Sequence, residues 1–224
     1  MATLYFSNTI SRAWNDIPNW YTDAGLIIPA GRIPVSTDSV VVANCIVNGI
    51  AAEDSTAGSP VTVVNATFSN ANWDYDLIGI GINCTTAVFT NSVCFGVGNI
   101  ATLSINASSS ITFNGGCIID AGVFYSPIIT LNGSTGNTGD DGPSVYSGPT
   151  GYAINVNGTA SLSNSDNITQ FYNDPNIIIA NSAVIPNLES YFGFAITITG
   201  GGGGVSVSNV LLTELLKLPF PIVL

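Results

Sequence analysis

The chain has 224 residues, enough for one sizeable domain or for one domain with a small appendage. Charged residues make up only 8% and the net charge is −11, with Arg12, Arg32 and Lys217 the only cations, so there is no basic cluster to hold nucleic-acid phosphates. Histidine is absent, which removes the commonest general base and the commonest metal ligand together, while the β-branched and aromatic content argues for a folded all-β domain over a disordered chain.

Residues 1–39 read as an N-terminal cap segment. No basic n-region precedes an apolar stretch, so no signal peptide is visible, and no run of about 18 apolar residues predicts membrane insertion. Trp14 and Trp20 lie six apart and are followed by a proline-punctuated loop and the strand-like "IPVSTDSVVV".

Residues 40–208 read as the body. Short alternating or apolar runs such as "SVVVANCIVNG", "VTVVNATFSN", "SITFNGGCIID" and "FAITITG" are separated by Gly, Asn, Asp and Pro, the pattern of many short strands. "VNATFSN", "TTAVFTN" and "SSITFNG" align on Phe68, Phe89 and Phe113, with spacings of 21 and 24 residues, and "GTASLSN" at Leu162 is a weaker copy. Self-similarity of this kind predicts a parallel β-helix or solenoid, in which equivalent side chains stack into ladders. The alternative is an antiparallel β-sandwich or jelly roll, which also has strands at short regular spacing. The stretch 131–151, "LNGSTGNTGDDGPSVYSGPTG", predicts a long loop leaving the stack.

The two tryptophans, the irregular loop, and Pro34, Asp38, Val40 and Val42 at the spacing P-x-x-x-D-x-V-x-V resemble the entry segment of right-handed parallel β-helix proteins of bacterial and viral surfaces. The repeats at Phe68, Phe89 and Phe113 resemble the coils that follow, and the likeness spans residues 12 to 125. That group includes adhesins, fibres and polysaccharide-active enzymes, so the resemblance implies a fold more than an activity. Read from the residues alone, Trp14 and Trp20 are suited to cover an open apolar end of the stack.

Candidate chemistry is sparse. Asp74 and Asp76, two apart on an extended segment, would project to one side roughly 7 Å apart, within the range of a glycosidase pair; an acidic turn beside an aromatic patch is the favoured reading. Asp140 and Asp141 suggest a Ca²⁺ ligand pair, but their spacing matches no calcium loop and a solvated turn suffices. Cys45, Cys84, Cys94 and Cys117 form no CxxC pair and read as buried thiols, with a disulfide between stacked turns as the alternative. The sequons at Asn65, Asn83, Asn106, Asn132, Asn157 and Asn167 occur about as often as this Asn-, Ser- and Thr-rich composition yields by chance. No enzyme activity, metal or cofactor is expected.

Residues 200–204 are five glycines, a hinge that imposes no direction. Beyond it, residues 209–224 read as a short helix followed by an apolar strand: Asn209 is an N-cap candidate, Leu211, Leu212, Leu215 and Leu218 share one helical face, and Pro219 ends the helix. Phe220, Ile222, Val223 and Leu224 continue the apolar surface. These eight side chains are the candidate self-association residues, packing either on their own stack or on a neighbour. The expectation is a structural subunit that assembles with other copies of itself in a virion, a fibre or at a cell surface. The alternative is a module that binds or degrades surface glycans.

Overall fold

The computed structural model describes residues 1–44 apart from Arg12, and residues 46–47, 61–73, 80–94, 96–97, 100–101, 103–119, 122–133, 144–157, 169–171, 173, 175–180, 184–186, 188–190, 195–199 and 206–208. Among these the chain is almost entirely β, with a single short 3₁₀ turn at Ile17–Asn19 and no α-helix. The strands stack as a parallel solenoid.

One ladder runs the length of the described chain. It pairs Thr3–Phe6, Ser39–Ala43, Asn65–Ser69, the second half of Ile80–Thr90, the second half of Leu103–Asn114, Ile128–Asn132, Ala153–Asn157, Asn176–Ala180 and Ala195–Thr199, each parallel to the next. A second ladder uses Val61–Thr62, the first halves of the two long strands, Gly122–Tyr125, Ser144–Ser147, Thr169–Phe171 and Leu188–Ser190. A third, of two-residue strands, joins Ile46–Val47, Asn72–Trp73, Val93–Cys94 and Ile118–Ile119. Parallel neighbours require a crossover between them, and from Ser39–Ala43 onward each crossover carries a strand of the second or third ladder. An antiparallel sandwich or jelly roll is incompatible with this pairing.

Period-two alternation places one side of Thr3–Phe6, Ser39–Ala43, Asn65–Ser69, Ile128–Asn132 and Ala153–Asn157 in the core. On the long ladder Phe6, Val42, Phe68, Phe89, Phe113, Leu131 and Val156 occupy one register position, and all are buried. The rings of Phe68 and Phe89 stack at 4.6 Å and 16°, and those of Phe89 and Phe113 at 4.9 Å and 17°. Ile82, Ile105, Phe124 and Tyr146 form the matching inward column on the second ladder. Phe124 meets Phe113 edge-on at 5.1 Å and ties the two columns together.

The copy of the repeat after Phe113 is therefore centred on Leu131 and the next on Val156, while Leu162 lies outside the described residues. The stretch 131–151 is also less loop-like than expected. Leu131 and Asn132 end one strand and Ser144–Ser147 forms another, because Val145-Tyr146-Ser147 sustains the alternation that a composition rich in Gly and Pro conceals.

The coil turns sharply after the long ladder, and it does so the same way each time. Asn44, Asn70, Asn91, Gly115 and Gly133 occupy successive corners with φ of 54°, 48°, 47°, 66° and 86°. This is the left-handed region, which only Gly and Asn enter at low cost. Each corner N–H still donates to the next coil, as in Asn70 N to Thr90 O at 2.9 Å and Gly115 N to Asn132 O at 3.0 Å. The bend thus costs the ladder no hydrogen bond.

Candidate assembly surfaces

The outward positions of the long ladder carry Ser, Thr, Asn, Ala, Val and Ile, and between Ser39 and Asn157 none bears a charge. Side chains there bond from rung to rung. Asn132 Nδ2 donates to Asn114 Oδ1 at 3.0 Å, and Asn157 Nδ2 donates to Asn132 Oδ1 at 2.9 Å, forming an amide ladder along the sheet. Thr86 Oγ1 donates to Asn65 Oδ1 at 2.7 Å. These amides serve the stack, so the sequons at Asn65, Asn132 and Asn157 have a structural use.

At the corner, the buried Ser92 accepts from Ala71 N through Oγ and donates from its own backbone to Cys117 Sγ at 3.5 Å. Cys117 donates in turn to Asn114 O. Cys84 and Cys117 are free buried thiols, as the apolar surroundings predict. Burial pushes the Cys84 thiol up to about 11 and raises that of Cys117 as well, so both stay protonated and unreactive at neutral pH.

The first described strand, Thr3–Phe6, lies at one end of the long ladder and pairs antiparallel with Trp20–Tyr21. Trp14 and Trp20 are buried here, with ring centroids 4.7 Å apart in an edge contact, and Trp20 Nε1 donates to Trp14 O at 2.8 Å. Phe6 stands against both rings. Asp38 is buried just before the neighbouring strand Ser39–Ala43 and accepts from Arg32, from Val35 N at 3.0 Å and from Ala2 N at 3.4 Å. The Arg32 guanidinium holds its carboxyl down at about 2, helped by the backbone donors. Pro34, Asp38, Val40 and Val42, which carry the resemblance to β-helix entry segments, are all buried.

The loop that follows Tyr21 turns its apolar side chains outward. Asp23 Oδ1 accepts from Ile27 N at 3.1 Å and Ile28 N at 2.7 Å, Thr22 N donates to Ile28 O, and Leu26 sits at φ 55°. A leucine in the left-handed region is strained. The result is Ile27 at 78% exposure and Ile28 at 58%, with Val35 at 47% a few residues on.

The residues expected to mediate self-association, Leu211, Leu212, Leu215, Leu218, Phe220, Ile222, Val223 and Leu224, lie outside the described residues, as do Asp74, Asp76, Asp140 and Asp141. So do the side chains of Cys45 and Cys94. Among the described residues no three of His, Cys, Asp and Glu gather into a metal site, and no helix is long and apolar enough to cross a membrane. Sequence reasoning missed the corner ladder, the amide ladder and the outward isoleucines. The first had a visible signal in the Asn or Gly two residues after each aligned core residue, in "FSN", "FTN" and "FNG".

Comparison of the chain with protein-family models, with curated proteins and with solved structures returns no match.

Proposed function

We propose that the chain is a non-catalytic structural subunit, a stiff β-solenoid that self-assembles through residues 209–224 into a larger virion, fibre or cell-surface structure. In this reading the coils are right-handed, residues 1–39 close one end of the stack, and a helix and strand after the glycine hinge dock on a neighbouring copy. No metal or cofactor takes part. The observation that carries it is the long parallel ladder with its stacked aromatic core and its uncharged outward positions. Long charged side chains resist close packing between subunits, and their absence from a whole face suits a body built to repeat.

The test is light scattering of the full chain against a chain lacking residues 209–224. Loss of the large species with the β circular dichroism retained supports the proposal. A truncated chain that unfolds or aggregates makes the tail a cap of its own stack. A second reading, a glycan-binding surface, is favoured by the regular Thr and Asn columns, and a monomeric full chain that binds polysaccharide would support it.

A further inference from the structure

We infer that the loop carrying Ile27 and Ile28, together with Val35, is the surface that receives the apolar residues 219–224 of the next copy, so that subunits join head to tail along the solenoid axis. The inference rests on the proposal that the tail acts between copies, and it names the receiving site.

Three observations carry it. The first is the loop itself. Two adjacent β-branched side chains stand in solvent because the Asp23 carboxylate holds the backbone N–H groups of both and Leu26 accepts a left-handed conformation between them. A backbone strained at Leu26 that holds two adjacent isoleucines in solvent is suited to a contact surface.

The second is topology. The loop adjoins Trp20–Tyr21 at one end of the ladder, whereas Ala195–Thr199 is the ladder's final strand at the other. At ~4.8 Å per parallel step the two ends are about 38 Å apart. A tail leaving the far end of one copy therefore meets the near end of an axially stacked copy directly. To reach its own loop it would have to run back along the whole ladder.

The third is the distribution of charge. Residues 1–44 hold Arg12 and Arg32 against Asp16, Asp23 and Asp38, and residues 209–224 hold Lys217 against Glu214. Both end segments are close to neutral, so nearly all of the net −11 lies in the body between them. Bodies placed side by side repel except across the uncharged face, whereas end segments meet without that cost. A head-to-tail contact is heterologous and does not close on itself, so it propagates into a filament.

The experiment uses the full chain. A photo-reactive phenylalanine analogue replaces Ile27, and chains labelled with ¹⁴N and ¹⁵N are mixed before illumination. Mass spectrometry is expected to find residue 27 of one isotope joined to a peptide from 219–224 of the other. A cross-link only within one isotope, or from loop to loop, overturns the inference. In parallel, Ile27→Asp with Ile28→Asp is expected to raise the concentration needed for assembly at least tenfold while the melting temperature is unchanged. Mixing this variant with the chain lacking residues 209–224 restores a one-to-one complex, because each supplies the half that the other lacks. If deletion of 209–224 disperses the assembly but the isoleucine variant assembles normally, the receiving site is elsewhere and the tail proposal stands. If the deletion leaves the assembly intact, both fall.

Discussion

Phe89→Ala removes a ring that is wholly buried and stacked on both sides, by Phe68 at 4.6 Å and Phe113 at 4.9 Å. Losing the apolar transfer of the ring costs about 2 kcal/mol. The space left is on the order of 100 Å³, and at ~24 cal/mol per Å³ it adds about 2 kcal/mol if the coils above and below cannot collapse. They cannot do so easily, because ladder hydrogen bonds hold the coils apart on every face. The expected loss is about 4 kcal/mol, measured by chemical denaturation followed by far-UV circular dichroism. Leu131 and Val156 occupy the same register position, so Phe89→Leu should cost less than about 1.5 kcal/mol. Stacked rings also couple, so Phe68→Ala and Phe89→Ala should be non-additive by about 0.5–1.5 kcal/mol. Either a loss from Phe89→Ala below about 1.5 kcal/mol or strict additivity of the two alanines would refute a core held by a continuous stack.

Asp38 has its carboxyl depressed to about 2 against an ordinary value of 3.8, so its stabilising contribution is complete above about pH 4 and disappears as the pH falls through 2. Arg32 is partly exposed and the pair is screened; Asp38→Asn should abolish this segment of the acid-unfolding curve, and an unchanged curve counts against the pair. Gly148 admits no side chain, since a Cβ there would meet Ser126 O at 2.4 Å and Tyr152 at 2.6 Å, and Gly148→Ala should cost about 2 kcal/mol or more in denaturant titration. Asn70→Gly should retain most of the stability because glycine accepts the left-handed corner, whereas Asn70→Ala should lose about 1–2 kcal/mol; equal melting temperatures for the two would remove the corner argument. Cys84 and Cys117 should resist a thiol reagent in the native chain at pH 8 and react once it is unfolded; labelling of either at the native rate of an exposed thiol would contradict their burial.

Much of the stack was legible in the chain itself. Alternation in "NATFS" and "SITFN", with a large apolar residue recurring at 21 and 24 residues, determined strands and inward faces and favoured the solenoid, while only the parallel pairing of the strands excluded a sandwich. The repeats at Leu131 and Val156 were harder to see, since the core residue changes from aromatic to aliphatic while the coil lengths shift around it. The sequence could show that Cys117 is buried but not that it lies under Ser92, or that Asn114, Asn132 and Asn157 join in one line. It marked Arg32 and Asp38 as two of few charges without pairing them, and it offered Ile27 and Ile28 as ordinary apolar residues. Those relations belong to the tertiary structure alone. Which side chains become neighbours between coils depends on how coils of unequal length close in register, and which apolar residues stay in water depends on the backbone bonds that hold their loop. No local pattern encodes either.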